Sequence, residues 1–128
     1  MIEEIPGAEE LVQSVAGLLK KEILPAVEQS ELKFKLQVAC NVLSIVEREL
    51  LQGVRCRTEE RQVLAAILNS DSQDLMQLRA RLSAQISGGQ FDNGIESLAE
   101  MLLPVVANRL AIDNPQYSTL VDYKKERE

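Results

Sequence analysis

The chain has 128 residues, of which 45% are hydrophobic and 27% charged, and this is the composition of a globular protein that folds without a partner. Only 3% of the residues are aromatic and none is tryptophan, so the core has to be built from aliphatic side chains, which favours a helical bundle over a β-sandwich. The formal net charge of -6 disfavours nucleic-acid binding, and the absence of histidine excludes His-based acid/base catalysis, Ser-His and Cys-His pairs and most zinc, haem and di-iron sites.

The sequence also indicates the cellular compartment and the cofactors to expect. No apolar run approaches the roughly 18 to 20 residues that cross a bilayer, and residues 1–5 are acidic where a secretory signal would be basic. Two cysteines, Cys40 and Cys56, are too few for a disulfide framework or a metal-ligand cluster. We therefore expect a cytoplasmic protein with two free thiols and no metal or other cofactor, which binds neither nucleic acid nor a membrane.

The first predicted helix follows a Pro-Gly pair at residues 6–7 and has two glutamates in its first turn. Its apolar residues recur at helical spacing: Leu11, Val15, Leu18, Leu19 and Ile23. Pro25 either ends this helix or opens a further turn through residues 26–28. Ser30 then has the side chain of an N-cap for the next helix.

The second predicted helix, about residues 31–52, has the clearest pattern, and Gly53 marks its end. Its main apolar stripe consists of Leu32, Leu36, Ala39, Leu43, Val46 and Leu50. A second apolar stripe beside the first consists of Phe34, Val38, Val42 and Ile45. Because only a narrow polar strip is left, we expect this helix to be covered on most sides and to form the centre of the bundle.

Two shorter helices are predicted after a loop at residues 53–57. Thr58 can cap the third helix, which ends near Asn69. Asp71 or Ser72 can cap the fourth helix, which a Gly-Gly pair at residues 88–89 ends. One face of the fourth helix is apolar and carries Leu75, Leu78, Leu82 and Ile86.

The fifth predicted helix starts at a capping box formed by Asn93 and Glu96, and runs to about Ile112. Pro104 lies inside it and is expected to kink or break it. The remaining tail is predicted to be a frayed, solvated end. The sequence thus predicts an all-α, single-domain bundle of four to five helices around the helix at about residues 31–52. The domain spans residues 1–128, with flexible ends at 1–6 and 119–128.

Polar residues at two places are candidates for a ligand site. Asn41 and Arg48 belong to the narrow polar strip of the second helix, where Asn41 can make a hydrogen bond between helices or contact a ligand. Asp113, Asn114 and Tyr117 gather hydrogen-bonding groups at the end of the fifth helix. They can clamp the C-terminal tail or contact a ligand, and the structural role is the commoner one in both cases.

Cys56 is the one candidate nucleophile, because it lies between Arg55 and Arg57 and nearby cations favour the thiolate. No base is recognisable beside it, so an ordinary surface thiol is the commoner interpretation. The carboxylates show no catalytic pair, and the Gly-Gly at residues 88–89 lacks the strand and lysine of a phosphate-binding loop.

Four segments of the chain resemble a bacterial family of uncharacterised domains that is known as a domain of unknown function. They are PGAEEL at 6–11, EILPA at 22–26, KLQVACNVLSIVEREL at 35–50 and LAIDNPQY at 110–117. The likeness covers most of residues 6–118 and carries no catalytic motif. Cys40 departs from it, since the family more often has alanine there, and so does Pro104. Members tend to be encoded beside aminoglycoside-phosphotransferase-like and acyl-CoA dehydrogenase-like enzymes, so the resemblance implies a helical accessory protein near acyl-CoA or phosphotransfer metabolism.

Three functional hypotheses follow. The leading one is a non-catalytic helical interaction module, because helices two and five each show more than one apolar stripe. It would form a homo-oligomer, with a dimer favoured, and the resemblance adds a neighbouring enzyme as a further partner. The alternative is a bundle that binds a small molecule or acyl chain between helices two and five, gated by Asn41 or Tyr117. The third is an enzyme that uses Cys56 or carboxylates.

Overall fold

The computed structural model describes residues 6–127, and these residues form five α-helices and no β-strand. The helices are α1 (Ala8–Leu18), α2 (Ser30–Leu68), α3 (Leu75–Ser87), α4 (Ile95–Asp113) and α5 (Ser118–Glu126). The predicted all-α fold is confirmed. The chain divides into two compact units, an N-terminal unit up to Gly53 and a C-terminal unit from Val54 onwards, and we describe each by itself.

In the N-terminal unit, α1 is followed by two further turns, the first wider and the second tighter than a turn of α-helix. A π-helical turn spans Leu19–Ile23, and a 3₁₀ turn, Leu24–Ala26, contains Pro25 near its start. Proline is tolerated in the first turn of a helix because its missing N–H would have no intrahelical partner there. Of the two roles predicted for Pro25, the structure shows that of opening a turn.

Helix α2 has 39 residues, and the predicted loop at 53–57 with a separate third helix was wrong. Gly53 is buried inside α2, where glycine weakens a helix by only about 1 kcal/mol relative to alanine, and good helix formers continue on both sides of it. Thr58 does not act as an N-cap. Its hydroxyl donates a hydrogen bond to the Val54 carbonyl at 2.9 Å, which is how a threonine within a helix satisfies its side chain.

The N-terminal unit buries very few apolar side chains. Ala16 of α1 and Cys40 of α2 are its buried hydrophobic residues among those described. The Lys20 ammonium donates to the Ser44 hydroxyl at 2.8 Å, so the π-helical turn lies beside α2. The prediction that the helix at about residues 31–52 is covered on most sides was wrong, because large apolar residues along it, such as Leu32, Phe34 and Val42, are exposed.

The C-terminal unit contains a true hydrophobic core. It is a cluster of five buried leucines from three helices: Leu64 and Leu68 of α2, Leu78 and Leu82 of α3, and Leu98 of α4. Partly buried side chains pack around this cluster, namely Ala65, Ile67, Leu75, Phe91 and Leu102. The predicted apolar face of the fourth helix thus faces the core, except for Ile86 near its end, which is exposed.

The turn between α2 and α3 explains where both helices stop and start. Asn69 is left-handed, with φ 52°, and the Asn69 and Ser70 amides bond to the Ala66 and Ala65 carbonyls, which is a Schellman motif. The predicted end near Asn69 is confirmed. The cap of α3 is Asp74, whose carboxylate accepts the Gln77 amide at 3.2 Å.

Neither residue predicted to cap α3 does so. Ser72 instead lies in the connecting turn, where its hydroxyl accepts the Asp74 amide at 3.2 Å and donates to the Gln77 side chain at 2.9 Å. Asp71 is an exposed residue of the same turn. The helix starts later than predicted because the side chains of Ser72 and Asp74 accept hydrogen bonds from backbone N–H groups of the turn and of the first helical residues. Its predicted end is confirmed, since Gly88 is the C-cap and Gly89 has the left-handed φ of 85°.

Helix α4 is continuous through Pro104, so the proline does not break it. The predicted capping box is not formed. Gly94 occupies the N-cap position and makes no side-chain cap, so the helix begins one residue later than Asn93 requires. At the other end the helix stops at Asp113, as the sequence predicted to within one residue.

Helix α5 was not predicted, because it is short and its apolar residues do not form a stripe. Leu120 is nevertheless buried, and α5 contacts α4. The single-domain organisation and the flexibility of the two ends stay predictions, and residues 1–5 and 128 lie outside the described residues.

Removing the centre of the leucine cluster tests this core. Leu78 has 0% exposure, and we expect Leu78→Ala to lower the free energy of unfolding by about 2 to 5 kcal/mol, because it removes burial and leaves a cavity. Met76→Ala on the same helix is the control, since Met76 is 77% exposed and should change stability by less than about 0.5 kcal/mol. Urea unfolding followed by circular dichroism measures both, and equal effects would contradict the core assignment.

Candidate functional site

The first candidate site is an exposed row of apolar side chains on α2, which we call the open stripe. The row consists of Phe34, Val38, Val42, Val46 and Leu50. Residues four apart lie next to one another on a helix, so these side chains form a continuous ridge over four turns. Phe34 is 66% exposed and Val42 52%, which is unusual for a contiguous set of large apolar residues.

Helix α1 has an exposed apolar row of its own. Leu11, Val15 and Leu18 recur at helical spacing and are all exposed, as is Ile23 in the π-helical turn. The helical spacing predicted this helix but not which of its sides is covered, and Ala16 is its buried residue. The N-terminal unit thus has apolar surface on both of its helices.

Asn41 and Arg48 lie on the polar side of α2, seven residues apart. Asn41 is exposed, whereas Arg48 is half-buried and interacts with another group in the chain. Ser44, about one turn after Asn41, makes a polar link between α2 and the π-helical turn. Its hydroxyl accepts the Lys20 ammonium and donates to the Cys40 carbonyl at 3.1 Å. Sequence reasoning did not single out Ser44, since a serine in a helix gives no signal of a partner 24 positions away.

Asp113, Asn114 and Tyr117 form the turn that joins α4 to α5. The Asn114 amide donates to the Leu110 carbonyl at 2.7 Å, and the Asn114 carbonyl accepts the Tyr117 amide at 3.1 Å. Asp113 accepts two hydrogen bonds from Arg109, at 2.7 and 3.1 Å. Tyr117 is exposed and occupies the N-cap position of α5. The three candidates are therefore neighbours in one turn, where Asn114 connects the two helices through its backbone.

Asp113 also lines a groove on the C-terminal unit with a volume of about 320 Å³. The lining is aliphatic with charged edges, and consists of Glu60, Arg79, Val105, Val106, Arg109, Leu110 and Asp113. At one edge Arg79 makes a bidentate pair with Glu60, with N···O distances of 2.6 and 2.7 Å. The hydrogen bonds that Arg79 donates to Glu60 raise the pKa of the Arg79 guanidinium, against a smaller opposing effect of burial.

Cys56 is part of a polar connection between α2 and α4. Its thiol donates to the backbone carbonyl of Asn108 at 3.8 Å, and the side-chain amide of Asn108 donates to the Glu59 carboxylate. Glu59 also forms an ion pair with Arg55, with an N···O distance of 3.8 Å. The Arg55 guanidinium therefore points toward a carboxylate. Because Cys56 belongs to a helix and not to the predicted loop, its thiol is half-buried. Sequence reasoning missed Glu59 and Asn108 as its neighbours.

Two further observations concern ligands and membranes. Within residues 6–127 there is no group of three or more His, Cys, Asp or Glu side chains placed to hold a metal ion. Of the helices formed by the same residues, none combines the length and apolarity that crossing a bilayer requires.

Residues 25–117 match the family described as Domain of unknown function (DUF6285), and the chain belongs to this family. The match shows a domain of unknown function, as the resemblance implied, and starts at Pro25, so residues 6–24 lie outside it. No curated protein and no solved structure matches the chain at a significant level. Family membership therefore adds no activity to what the geometry shows.

The environment of the two thiols gives a testable expectation. Cys56 is half-buried and hydrogen-bonded and Cys40 is buried, so both should react with Ellman's reagent more slowly than free cysteine, and Cys40 more slowly than Cys56. The variants Cys40→Ala and Cys56→Ala assign each rate to its residue. If Cys56 reacted faster than free cysteine, its thiol would be activated and the enzyme hypothesis would gain its nucleophile.

Proposed function

We propose that the protein is a non-catalytic helical interaction module that associates with itself through its N-terminal unit. The observation that carries this proposal is the open stripe, an unbroken row of large apolar side chains exposed to solvent. Contiguous exposed apolar surface of this kind marks interaction sites. A cytoplasmic location is part of the proposal, and the two free cysteines support it.

The contrast between the two units supports this interpretation. The C-terminal unit buries a cluster of five leucines in its own core. In the N-terminal unit, large hydrophobic residues are exposed along both helices: Leu11, Val15, Leu18, Ile23, Leu32, Phe34, Val38, Val42, Val46, Leu50 and Leu51. Exposed apolar surface is thus concentrated where two helices have no third helix of their own unit to cover them.

The expected gain and cost of such an association are of the same order. At about 25 cal/mol per Å², covering the exposed half of one aliphatic side chain contributes about 1 kcal/mol. The five side chains of the open stripe, counted on two chains, would contribute about 10 kcal/mol. Association costs about 4 to 15 kcal/mol in lost translational and rotational freedom. We therefore expect an oligomer, most simply a dimer, that depends on protein concentration.

A partner enzyme is the second part of the proposal. The family resemblance implies that members are encoded beside phosphotransferase-like and acyl-CoA dehydrogenase-like enzymes. The exposed row on α1 gives the N-terminal unit a second apolar surface, so self-association through α2 leaves a face for such a partner. This pairing rests on the resemblance and on the exposure of α1.

The self-association can be tested by sedimentation velocity between about 1 and 100 µM. We expect the wild-type weight-average mass to rise with concentration, and Val42→Glu to keep the protein monomeric because it places a charge in the middle of the open stripe. Met76→Glu is the matched control, since Met76 is exposed on the C-terminal unit. A wild-type protein that stays monomeric throughout would overturn the proposal.

A second candidate function is the binding of an acyl chain or similar small molecule. It is favoured by the 320 Å³ groove, whose aliphatic floor and charged edges suit an amphiphile. A smaller apolar groove of about 120 Å³ lies between α4 and α5, and Val106 lines both. The groove differs from the predicted pocket, which was to be gated by Asn41 or Tyr117.

Titration with a fluorescent fatty-acid analogue tests this second candidate. If the groove is a binding site, binding should saturate, and Val106→Asp should raise the Kd by at least about tenfold, while Met76→Asp should leave it unchanged. Binding that does not saturate, or that ignores Val106→Asp, would show nonspecific partition and remove this function.

A further inference from the structure

The open stripe carries opposite charges at its two ends. Lys35 lies seven residues before Val42, and Glu49 lies seven residues after it. Seven residues make almost two turns of a helix, so both side chains lie within about 20° of the direction of Val42. The face of α2 thus reads, from its N-terminal end, as a cation, an apolar row centred on Val42, and an anion.

We propose that a second copy of this chain docks on the open stripe with its α2 antiparallel to the first, and that the two Val42 side chains meet at the two-fold axis. This inference rests on the proposed self-association and specifies its geometry. A two-fold interface joins the same surface of both copies, so it requires a surface that complements itself.

The open stripe meets this requirement in the antiparallel register only. When Val42 faces Val42, Val38 lies opposite Val46 of the other copy, so apolar residues meet apolar residues at the centre of the contact. Lys35 of each copy then faces Glu49 of the other copy, and the symmetry makes two such pairs. A parallel arrangement would place Lys35 against Lys35 and Glu49 against Glu49, and like charges opposite each other disfavour association.

The interactions that these two residues make within the chain leave the pairing possible. Lys35 pairs with Glu31 at 3.5 Å, and both side chains are largely exposed. Exposed pairs of this type contribute little, so Lys35 can turn to another carboxylate. Glu49 is half-buried and already interacts within the chain. A carboxylate has two oxygens and can accept from a second cation at the same time.

The dimensions of the stripe also suit a helix-to-helix contact. From Phe34 to Leu50 the ridge extends about 24 Å at 1.5 Å per residue. Its side chains follow the i, i+4 row, which winds around the helix by about 40° per step, so Val38, Val42 and Val46 form the centre of the contact. The small Ala39 lies between the ridge and the side of α2 that carries Leu36 and Leu43, where it lets a second helix approach.

Charge reversal tests the antiparallel register, with dimerisation measured by sedimentation. Lys35→Glu and Glu49→Lys should each raise the dimer Kd by at least about tenfold, since each puts like charges together twice. The double variant K35E/E49K should return to the wild-type Kd. An equimolar mixture of the two single variants should form a heterodimer with near wild-type affinity, because both of its charge pairs are then complementary.

Cross-linking provides an independent measure of orientation. In a background with Cys40→Ala and Cys56→Ala, Val38→Cys mixed with Val46→Cys should give a covalent dimer with a short bismaleimide, whereas each variant alone should give little. A parallel dimer would reverse this result, since each variant would cross-link with itself and the mixture would add nothing. Circular dichroism of every variant controls for folding, and the two positions that receive a cysteine are exposed, Val38 at 45% and Val46 at 39%.

The outcomes separate this inference from the function on which it rests. If the wild-type protein never associates, the proposed function fails. If it associates and Val42→Glu abolishes association, but neither single charge variant raises the dimer Kd, the stripe is the interface and the antiparallel register is wrong. If it associates and Val42→Glu has no effect, the interface lies elsewhere and this inference is overturned while self-association stands.

Discussion

The structure depends on the fact that an amphipathic helix has to cover its apolar side, and that one neighbouring helix covers only part of it. In the C-terminal unit, three helices surround the leucine cluster and leave Leu78 without exposure. The N-terminal unit consists of α1, its extension and the first part of α2, and Lys20 of the extension donates to Ser44 of α2. Cys40 is buried there, whereas Val42, two positions away, is half exposed. The same helix is therefore covered in one unit and open in the other.

Much of this fold could be predicted because it depends on local signals. The left-handed ends at Asn69 and Gly89 follow from residue types that tolerate positive φ, and the stripe of α3 follows from helical spacing. Gly53 misled the prediction because glycine is a stop signal only when the backbone actually turns, and here helix formers continue on both sides. Helix α5 was missed because its burial depends on contact with α4, which a stretch of nine residues does not reveal.

The candidate sites were less predictable than the helices. Asp113, Asn114 and Tyr117 are close in sequence, so their meeting in one turn could be expected. The partners of Cys56 and Lys20 lie far along the chain, and no local pattern identifies them. The open stripe combines Phe34, Val38 and Val42 of the predicted second stripe with Val46 and Leu50 of the predicted main stripe, because a helical wheel gives only the direction of a side chain. Whether a stripe is buried or open is decided by the number of neighbouring helices, which is a property of the tertiary structure.

The short helix α5 has a consequence for how this protein can be observed. Both tyrosines are at this helix, Tyr117 at its start and Tyr123 within it, where the Arg127 guanidinium lies 4.3 Å from the ring centre. The chain has no tryptophan, so its ultraviolet fluorescence comes almost entirely from these two side chains. Tyrosine emission is therefore a reporter of the C-terminal end alone. Unfolding or assembly confined to the N-terminal unit would not change tyrosine fluorescence. Detecting it requires circular dichroism of the backbone or an attached dye.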